Sequence, residues 1–303
     1  MIDITVVTCL SFHAAYRCRQ SGACCRSGWP IPFDADEGHA VHALRLNAGA
    51  LTEIGGGAVV AARADDGTCS FFDRDSRLCA IHHAGGHGAL PVSCRIFPRL
   101  VLQDGRGTSI SLSHYCPTAA ALLFEESGNS WLPVGIVEAP AALADVGPLE
   151  GLDAREAWPP LLRNGVMMDL ESYGAWERLG VELLTREGIA PAVSLDALEA
   201  ATARVRLWSP GGESPLQHAV RDAFGMLTPP PTEALEIHDR ALKRWLAARL
   251  FGNWVAYQGD GLHAIVAYLR VCLGTFTTEL ARDGQALEAI RRSDLLILHR
   301  PSP

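Results

Sequence analysis

The residues of this sequence that most clearly suggest chemistry are its cysteines. Nine are present, and seven of them lie between positions 18 and 116. The seven are Cys18, Cys24, Cys25, Cys69, Cys79, Cys94 and Cys116. Thiolates are the ligands preferred by zinc and by iron–sulfur clusters. A structural zinc ion and a four-iron cluster each take about four protein ligands. The clustered cysteines therefore predict one metal site with spare thiols, or two sites.

Disulfide bonds are the main alternative use for so many cysteines. They require an oxidising compartment, and the N-terminal stretch MIDITVVTCLSFHAAYRC has neither the basic start nor the unbroken apolar run of a secretory signal. A chain of 303 residues also builds a sufficient core without disulfides. We therefore expect a cytoplasmic protein with reduced cysteines. Cys9 and Cys272 lie outside the cluster, and we expect both to be core residues.

Composition excludes several classes of protein. The apolar fraction of 48% is typical of a globular chain, and the formal net charge of −8 shows no basic excess for binding nucleic acid. No apolar run approaches the roughly 18 to 20 residues of a membrane span. We therefore expect neither nucleic acid nor membrane as a partner.

The elements that position the cysteines are short. Residues 67–81 resemble a hairpin, residues 107–116 alternate like a strand, and residues 117–124 begin a helix with Pro117 in its first turn. The fold class that follows is α+β: an irregular cysteine-rich, metal-binding N-terminal module over 1–125, a linker or crossing segment over 126–160, and an all-helical module over 161–303. In the last, the prolines before Thr232 predict a helix start.

Four short motifs carry a resemblance to a known family. They are residues 18–25 (CRQSGACC), 69–72 (CSFF), 79–82 (CAIH) and 91–98 (PVSCRIFP). In this order they resemble the YkgJ-like zinc- or iron-chelating cysteine-cluster superfamily. Residues 27–34 (SGWPIPFD) and 109–120 (SISLSHYCPTAA) are similar to its flagellin lysine-N-methylase branch. The resemblance is strong over about 18–124.

The resemblance implies a function. It implies a metal centre, an iron–sulfur cluster (4Fe-4S) or zinc, held by the seven clustered cysteines. It also implies methyl transfer from S-adenosylmethionine to a lysine of a protein substrate such as flagellin. Arg26, Arg95 and Arg99 flank the cysteines and are candidates for binding the carboxylate of that cofactor. The alternative is a non-catalytic zinc- or iron-binding protein, either a structural interaction module or a metal chaperone.

The sequence departs from the family pattern at Ser21, where the YkgJ-like motif has its second cysteine. A hydroxyl is a poor substitute for a thiolate on zinc or iron. His82 and His114 are possible replacement ligands, since His114 would share a strand face with Cys116. We expect His83 and His87 to lie in a solvated turn.

Overall fold

The computed structural model describes residues 6–46, 50–55, 58–125, 134–144, 151–212 and 214–299. Within them the protein is α+β, as predicted, and its helices concentrate toward the C-terminus. The strands are β1 (Val7–Leu10), β2 (Pro32–Phe33), β3 (Leu51–Gly55), β4 (Ala58–Ala61), β5 (Arg99–Asp104), β6 (Gly107–Leu112), β7 (Ile136–Glu138), β8 (Leu152–Asp153), β9 (Leu161–Arg163) and β10 (Val166–Met167). The helices are α1 (Ala35–Ala43), α2 (Ala80–Gly85), α3 (Val92–Ile96), α4 (Pro117–Phe124), α5 (Ala141–Ala144), α6 (Leu170–Thr185), α7 (Pro191–Val205), α8 (Leu216–Gly225), α9 (Asp239–Leu250), α10 (Leu262–Asp283) and α11 (Ala286–Leu298).

A five-stranded sheet in the order β7-β1-β6-β5-β8 forms the base of the N-terminal half. β1 pairs in parallel with β6 and antiparallel with β7. Cys9 on β1 is fully buried, as expected. β6 ends at Leu112, and Cys116 caps α4. The expectation that His114 shares a strand face with Cys116 is therefore wrong, because the chain turns before Pro117 begins the helix.

A small antiparallel sheet, β2-β4-β3, and helix α1 lie in the segment between β1 and β5. Asp34 and Glu37 form a capping box that starts α1. The hairpin expected over 67–81 is present only in part, as an antiparallel bridge between Phe72 and Cys79 around the predicted turn. Two backbone hydrogen bonds flank the bridge, from the N–H of Asp73 to the carbonyl of Leu78 and from the N–H of Ala80 to that of Phe71. Asp73 also accepts hydrogen bonds from the backbone N–H of Asp75 and the hydroxyl of Ser76, which stabilise the turn.

The segment expected to be a linker or crossing, 126–160, adds two edge strands to the main sheet. β7 lies against β1, and β8 pairs in parallel with β5. Residues 126–133 and 145–150 of that segment lie outside the described residues.

The segment expected to be all-helical begins instead with a hairpin of β9 and β10. Asn164 and Gly165 form its turn, and Gly165 has a φ of 73°. Asn-Gly between short apolar runs is a strong hairpin signal, because both residues tolerate positive φ. The sequence carries this signal, and the expectation of an entirely helical module overlooked it.

Helices α6 to α11 pack around one apolar core that includes Trp176, Trp245 and Cys272. Cys272 is fully buried, as expected. The helix expected to start at Thr232 begins later, at Asp239. The Thr232 hydroxyl accepts a hydrogen bond from the N–H of Ala190 at 2.8 Å. Ala190 is the residue before α7, so Thr232 binds the start of α7 instead of starting α9.

One helix among the described residues, α10, is long and apolar enough to cross a membrane by length and composition. A single helix of this kind is weak support for a span, since core helices of soluble proteins pass the same test. Its residues Ile265, Leu269 and Phe276 are buried in the helical core.

Two buried polar networks join the N-terminal sheet to the helices. In the first, Arg106 binds Asp104 at 2.7 Å and Glu177 at 2.8 Å, and its guanidinium lies 4.5 Å from the centre of the Tyr173 ring. Tyr257 donates to Asp104 at 2.7 Å. These contacts join the β5–β6 turn to α6 and to the segment before α10.

The second network centres on Asp294 of α11, which is fully buried. Its carboxylate accepts from the backbone N–H of His114 and from the indole N–H of Trp245, the latter at 2.7 Å, and lies 3.8 Å from Arg249. The Nε2 atoms of His114 and His13 are 3.1 Å apart. The network therefore joins the end of β6 and the segment after β1 to helices α9 and α11.

Candidate metal centre

Three of the predicted cysteines lie in or next to short helices. Cys24 and Cys25 lie in a single 3₁₀ turn, Cys24–Arg26, and Cys79 is the residue that precedes α2. Gly22, with φ of 68°, lets the chain enter the first of these turns, and a Cβ there would lie 2.5 Å from Phe72. Because only glycine fits that position, Gly22 fixes where the paired thiols lie.

Cys25 is the central thiol of the group. Cys24 and Cys79 raise the pKa of Cys25, and burial adds to this effect. Cys25 in turn lowers the pKa of Cys79 to about 6 and lowers that of Cys24. The three thiols therefore lie close enough to influence one another's ionisation.

Cys69 and Cys94 complete a group of five thiols. The backbone N–H of Cys69 donates to the carbonyl of Cys25 at 2.7 Å, which binds the two segments together. Burial and, to a smaller extent, the nearby thiols Cys24, Cys79 and Cys69 together raise the pKa of Cys94 to about 12. Burial also raises the pKa of Cys69. Five of the seven predicted cysteines are thus brought together.

Cys18 and Cys116 belong to a different group. Cys18 is exposed, and its sulfur accepts a hydrogen bond from the N–H of Gln20 at 3.4 Å. Cys116 is buried, with its sulfur 4.0 Å from the Tyr16 hydroxyl. The two thiols interact electrostatically with each other and with Tyr16. The single row of seven cysteines in the sequence is therefore divided in space.

No three or more His, Cys, Asp or Glu side chains in the described ranges are arranged as a set that could hold a metal ion. The thiols Cys24, Cys25 and Cys79 influence one another's pKa without forming such a set. Metal binding would displace their protons, since thiols ligate as thiolates. The thiol donors, of which Cys69 is buried and the other four are partly buried, fit a soft metal, while the ligand geometry is not formed.

The three predicted arginines lie near the cysteines in different settings. Arg95 donates to the carbonyl of Leu90 at 2.5 Å, and Arg99 donates to that of Leu143 at 2.7 Å. Arg26 is exposed and lies 5.9 Å from the centre of the Phe72 ring. Arg95 and Arg99 thus brace the backbone around α3 and β5, and Arg26 is the most accessible of the three to a ligand.

The histidines and the serine that the sequence analysis singled out lie in different environments. His82 is half-buried, with its ring centre 6.0 Å from that of His87. His83 and His87 are exposed, as expected, but His83 lies on helix α2 rather than in a turn. His114 is fully buried in the Asp294 network. Ser21 accepts a weak bond from the N–H of Ala23 at 3.4 Å.

Sequence reasoning missed an aromatic group beside the thiols. The Trp29 ring lies 5.3 Å from Phe97, 5.1 Å from Tyr115 and 4.6 Å from His299, measured between ring centres. Trp29 also packs against the same core as Cys25 and Cys94. Trp29 and Phe97 lie within the family-like motifs, but nothing in the sequence indicates that His299 joins them.

Residues of the Asp294 network were missed as well. His13 lies just before the first cysteine motif but belongs to none of the motifs, and Asp294 is distant from them in sequence; burial is what makes both notable. Within the part of the chain that the structure describes, Nδ1 of His13 has no hydrogen-bond partner, and Nδ1 of His114 lies 3.7 Å from the Asp294 carboxylate, beyond hydrogen-bond distance.

Comparison with known proteins adds no relative, since no family model, curated protein or solved structure matches this chain.

Proposed function

We propose that this chain is a thiolate metal protein whose centre is built from Cys24, Cys25, Cys69, Cys79 and Cys94. The observation that supports the proposal is that Cys25, Cys69, Cys79 and Cys94 pack against one small core, and that Cys24 and Cys79 both shift the pKa of Cys25. Thiols that serve only as small hydrophobes of a core have no reason to converge in this way. Here five interact as one group.

The chemistry of the donors fits zinc or iron. The neighbouring Cys25 thiol lowers the pKa of Cys79 to about 6, which favours the thiolate form that such a metal binds. An iron–sulfur cluster would supply electron transfer or an open iron site, whereas zinc would serve as a structural crosslink. Among the described residues, Cys24 and Cys79 would be the first ligands, and the remaining ligands would come from Cys25, Cys69 and Cys94.

Metal analysis of matched variants tests the proposal. Protein purified without oxygen is assayed for zinc and iron by mass spectrometry and for broad visible absorbance. Cys79→Ser should lose most of the metal, whereas Cys272→Ser, which changes a buried core thiol on α10, should keep it. Absence of metal from the wild type, or equal metal in both variants, would contradict the proposal. A colourless protein with stoichiometric zinc would favour the non-catalytic alternative.

The family resemblance extends the proposal to methyl transfer from S-adenosylmethionine to a protein lysine in the cytoplasm. This reaction needs a neutral amine aligned with the methyl donor. Arg26, exposed next to the Cys24 turn, is the residue we expect to meet the cofactor carboxylate, because Arg95 and Arg99 donate to backbone carbonyls.

Calorimetry with S-adenosylmethionine tests this extension. The metal-loaded protein should bind the cofactor, and Arg26→Gln should weaken binding about tenfold, as expected for one charge-assisted pair. Arg17→Gln, another change beside Cys18, is the matched control. Failure of the loaded wild type to bind, or to methylate flagellin as a trial substrate, would remove the methylase and leave the metal proposal in place.

A further inference from the structure

The connection between α8 and α9, residues 226–238, exposes three large apolar side chains. Met226 is 65% exposed, Leu235 is 44% exposed and Ile237 is 99% exposed. Isolated exposed apolar residues are common on protein surfaces, but several in one segment indicate an interaction site. We call this segment the α8–α9 loop.

The α8–α9 loop is held in place on both sides of its apolar tip. The N–H of Thr232 donates to the carbonyl of Gly188 at 2.8 Å, and its hydroxyl accepts from Ala190. At the other side, the N–H of Glu236 donates to Asp239, the first residue of α9, at 3.0 Å. Ile237 is therefore presented to solvent by a fixed backbone.

The charge of the loop has one sign. Glu233 and Glu236 are exposed beside Leu235 and Ile237. From Asp222 to Ile237 the sequence contains no lysine or arginine. A partner that covers the apolar side chains must therefore also meet two carboxylates.

An open groove of about 410 Å³ lies at the start of the loop. Its lining combines the apolar Met226 and Pro229 of the loop and Val193 and Ala197 of α7 with one acidic and one basic side chain, Asp196 and Arg204. The groove offers a place for apolar side chains of a partner, and its own two charges have opposite signs.

We propose that the α8–α9 loop binds a basic amphipathic segment of another protein. Its apolar residues enter the groove and contact Ile237, and its lysines or arginines pair with Glu233 and Glu236. This mode of recognition places one apolar face in a groove and sets specificity by rim charges. The proposal does not depend on the metal centre, because the loop lies in the helical half.

A peptide titration tests the proposal with the full-length protein. The probe is a fluorescent amphipathic peptide of leucine and lysine at helical spacing, and the control peptide replaces lysine with glutamate. Fluorescence anisotropy should show binding of the basic peptide only. Ile237→Ser should weaken it about tenfold, the expected effect of one buried isoleucine. The Glu233→Gln/Glu236→Gln double variant should weaken binding and reduce its dependence on salt.

The matched control is Leu207→Ser, which changes a side chain that is 81% exposed elsewhere. It should bind the basic peptide like the wild type. The proposal is overturned if the basic peptide does not bind, if the acidic peptide binds equally, or if Leu207→Ser and Ile237→Ser behave alike. Concentration-dependent dimers that Ile237→Ser abolishes would also overturn it, since a second copy would then cover the loop. Unchanged circular dichroism and metal content of the variants separate these outcomes from misfolding and from failure of the metal proposal.

Discussion

Replacement of Asp294 by asparagine should destabilise the protein more than any other single change of charge in α11. Asp294 is fully buried, and Arg249, which it faces at 3.8 Å, is 4% exposed. Asparagine keeps the size of the side chain and one acceptor oxygen for Trp245 or His114. It removes the negative charge and leaves the Arg249 guanidinium buried without its counter-ion.

The magnitude follows from two independent routes. Burial alone would raise the pKa of Asp294, but Arg249 and the hydrogen bonds from His114 and Trp245 hold it at about 2. Relative to an ordinary value of about 3.9, this shift corresponds to about 2.5 kcal/mol of folding stability at neutral pH. Removal of one partner from a buried ion pair costs about 3 to 5 kcal/mol. We therefore expect a loss of about 3 kcal/mol or more.

The assay is urea unfolding followed by circular dichroism, compared between Asp294→Asn and a control, Asp283→Asn. Asp283 pairs with Arg292 at the surface, so the control should change much less. A double variant, Arg249→Gln with Asp294→Asn, should cost at least about 1 kcal/mol less than the sum of the two single changes. Equal effects at Asp294 and Asp283, or additivity in the double variant, would refute the reasoning.

Three further predictions concern stability. The pKa of Asp294 is lowered by folding, so its contribution is present above pH ~4 and lost as the pH falls toward 2; acid titration of the Asp294→Asn variant should lack this part of the loss. Arg106→Ala should cost about 3 kcal/mol in urea unfolding, because two buried carboxylates lose their partner, and recovery by Arg106→Lys should be incomplete; a loss below about 1 kcal/mol would contradict this account. Gly261→Ala should lower the free energy of unfolding by more than about 2 kcal/mol, since a Cβ there would lie 2.0 Å from the Leu161 carbonyl oxygen. Its control, Gly188→Ala, also has positive φ but faces open space, and should lower the free energy of unfolding by about 1 kcal/mol; equal losses would show that the steric clash contributes nothing beyond backbone strain.

Local signals predicted some elements well. Proline in the first turn and an apolar run predict residues 117–124 as a helix, and α4 spans Pro117–Phe124. Apolar residues at steps of three and four, namely Leu262, Ile265, Leu269, Cys272 and Phe276, likewise predict a helix that buries Cys272, and α10 spans Leu262–Asp283. These features depend only on residues within a few turns of one another, so the sequence alone contains the necessary information.

Features that depend on long-range contacts were not predictable in the same way. Thr232 follows three prolines and resembles the N-cap of a helix, yet its hydroxyl accepts a hydrogen bond from the N–H of Ala190, the residue before α7. The thiols Cys18 and Cys116 belong to the same run of cysteines in the sequence, yet both interact with Tyr16 instead of with the other five thiols. Which partner each of these side chains contacts depends on residues that come together only on folding, so no local sequence pattern predicts it.

The parallel pairing of β1 with β6 has a consequence for how the chain folds. Thr8 and Thr108, which contact each other across this pair, are 100 residues apart in sequence. The five thiols therefore lie on one long connection between two neighbouring strands. Closing this connection costs conformational entropy before the strand pairing can stabilise the chain. Any bond that joined Cys25 to Cys94 would shorten this loop in the unfolded chain. A crosslink in the cysteine segment would therefore accelerate assembly of a sheet to which that segment contributes no strand.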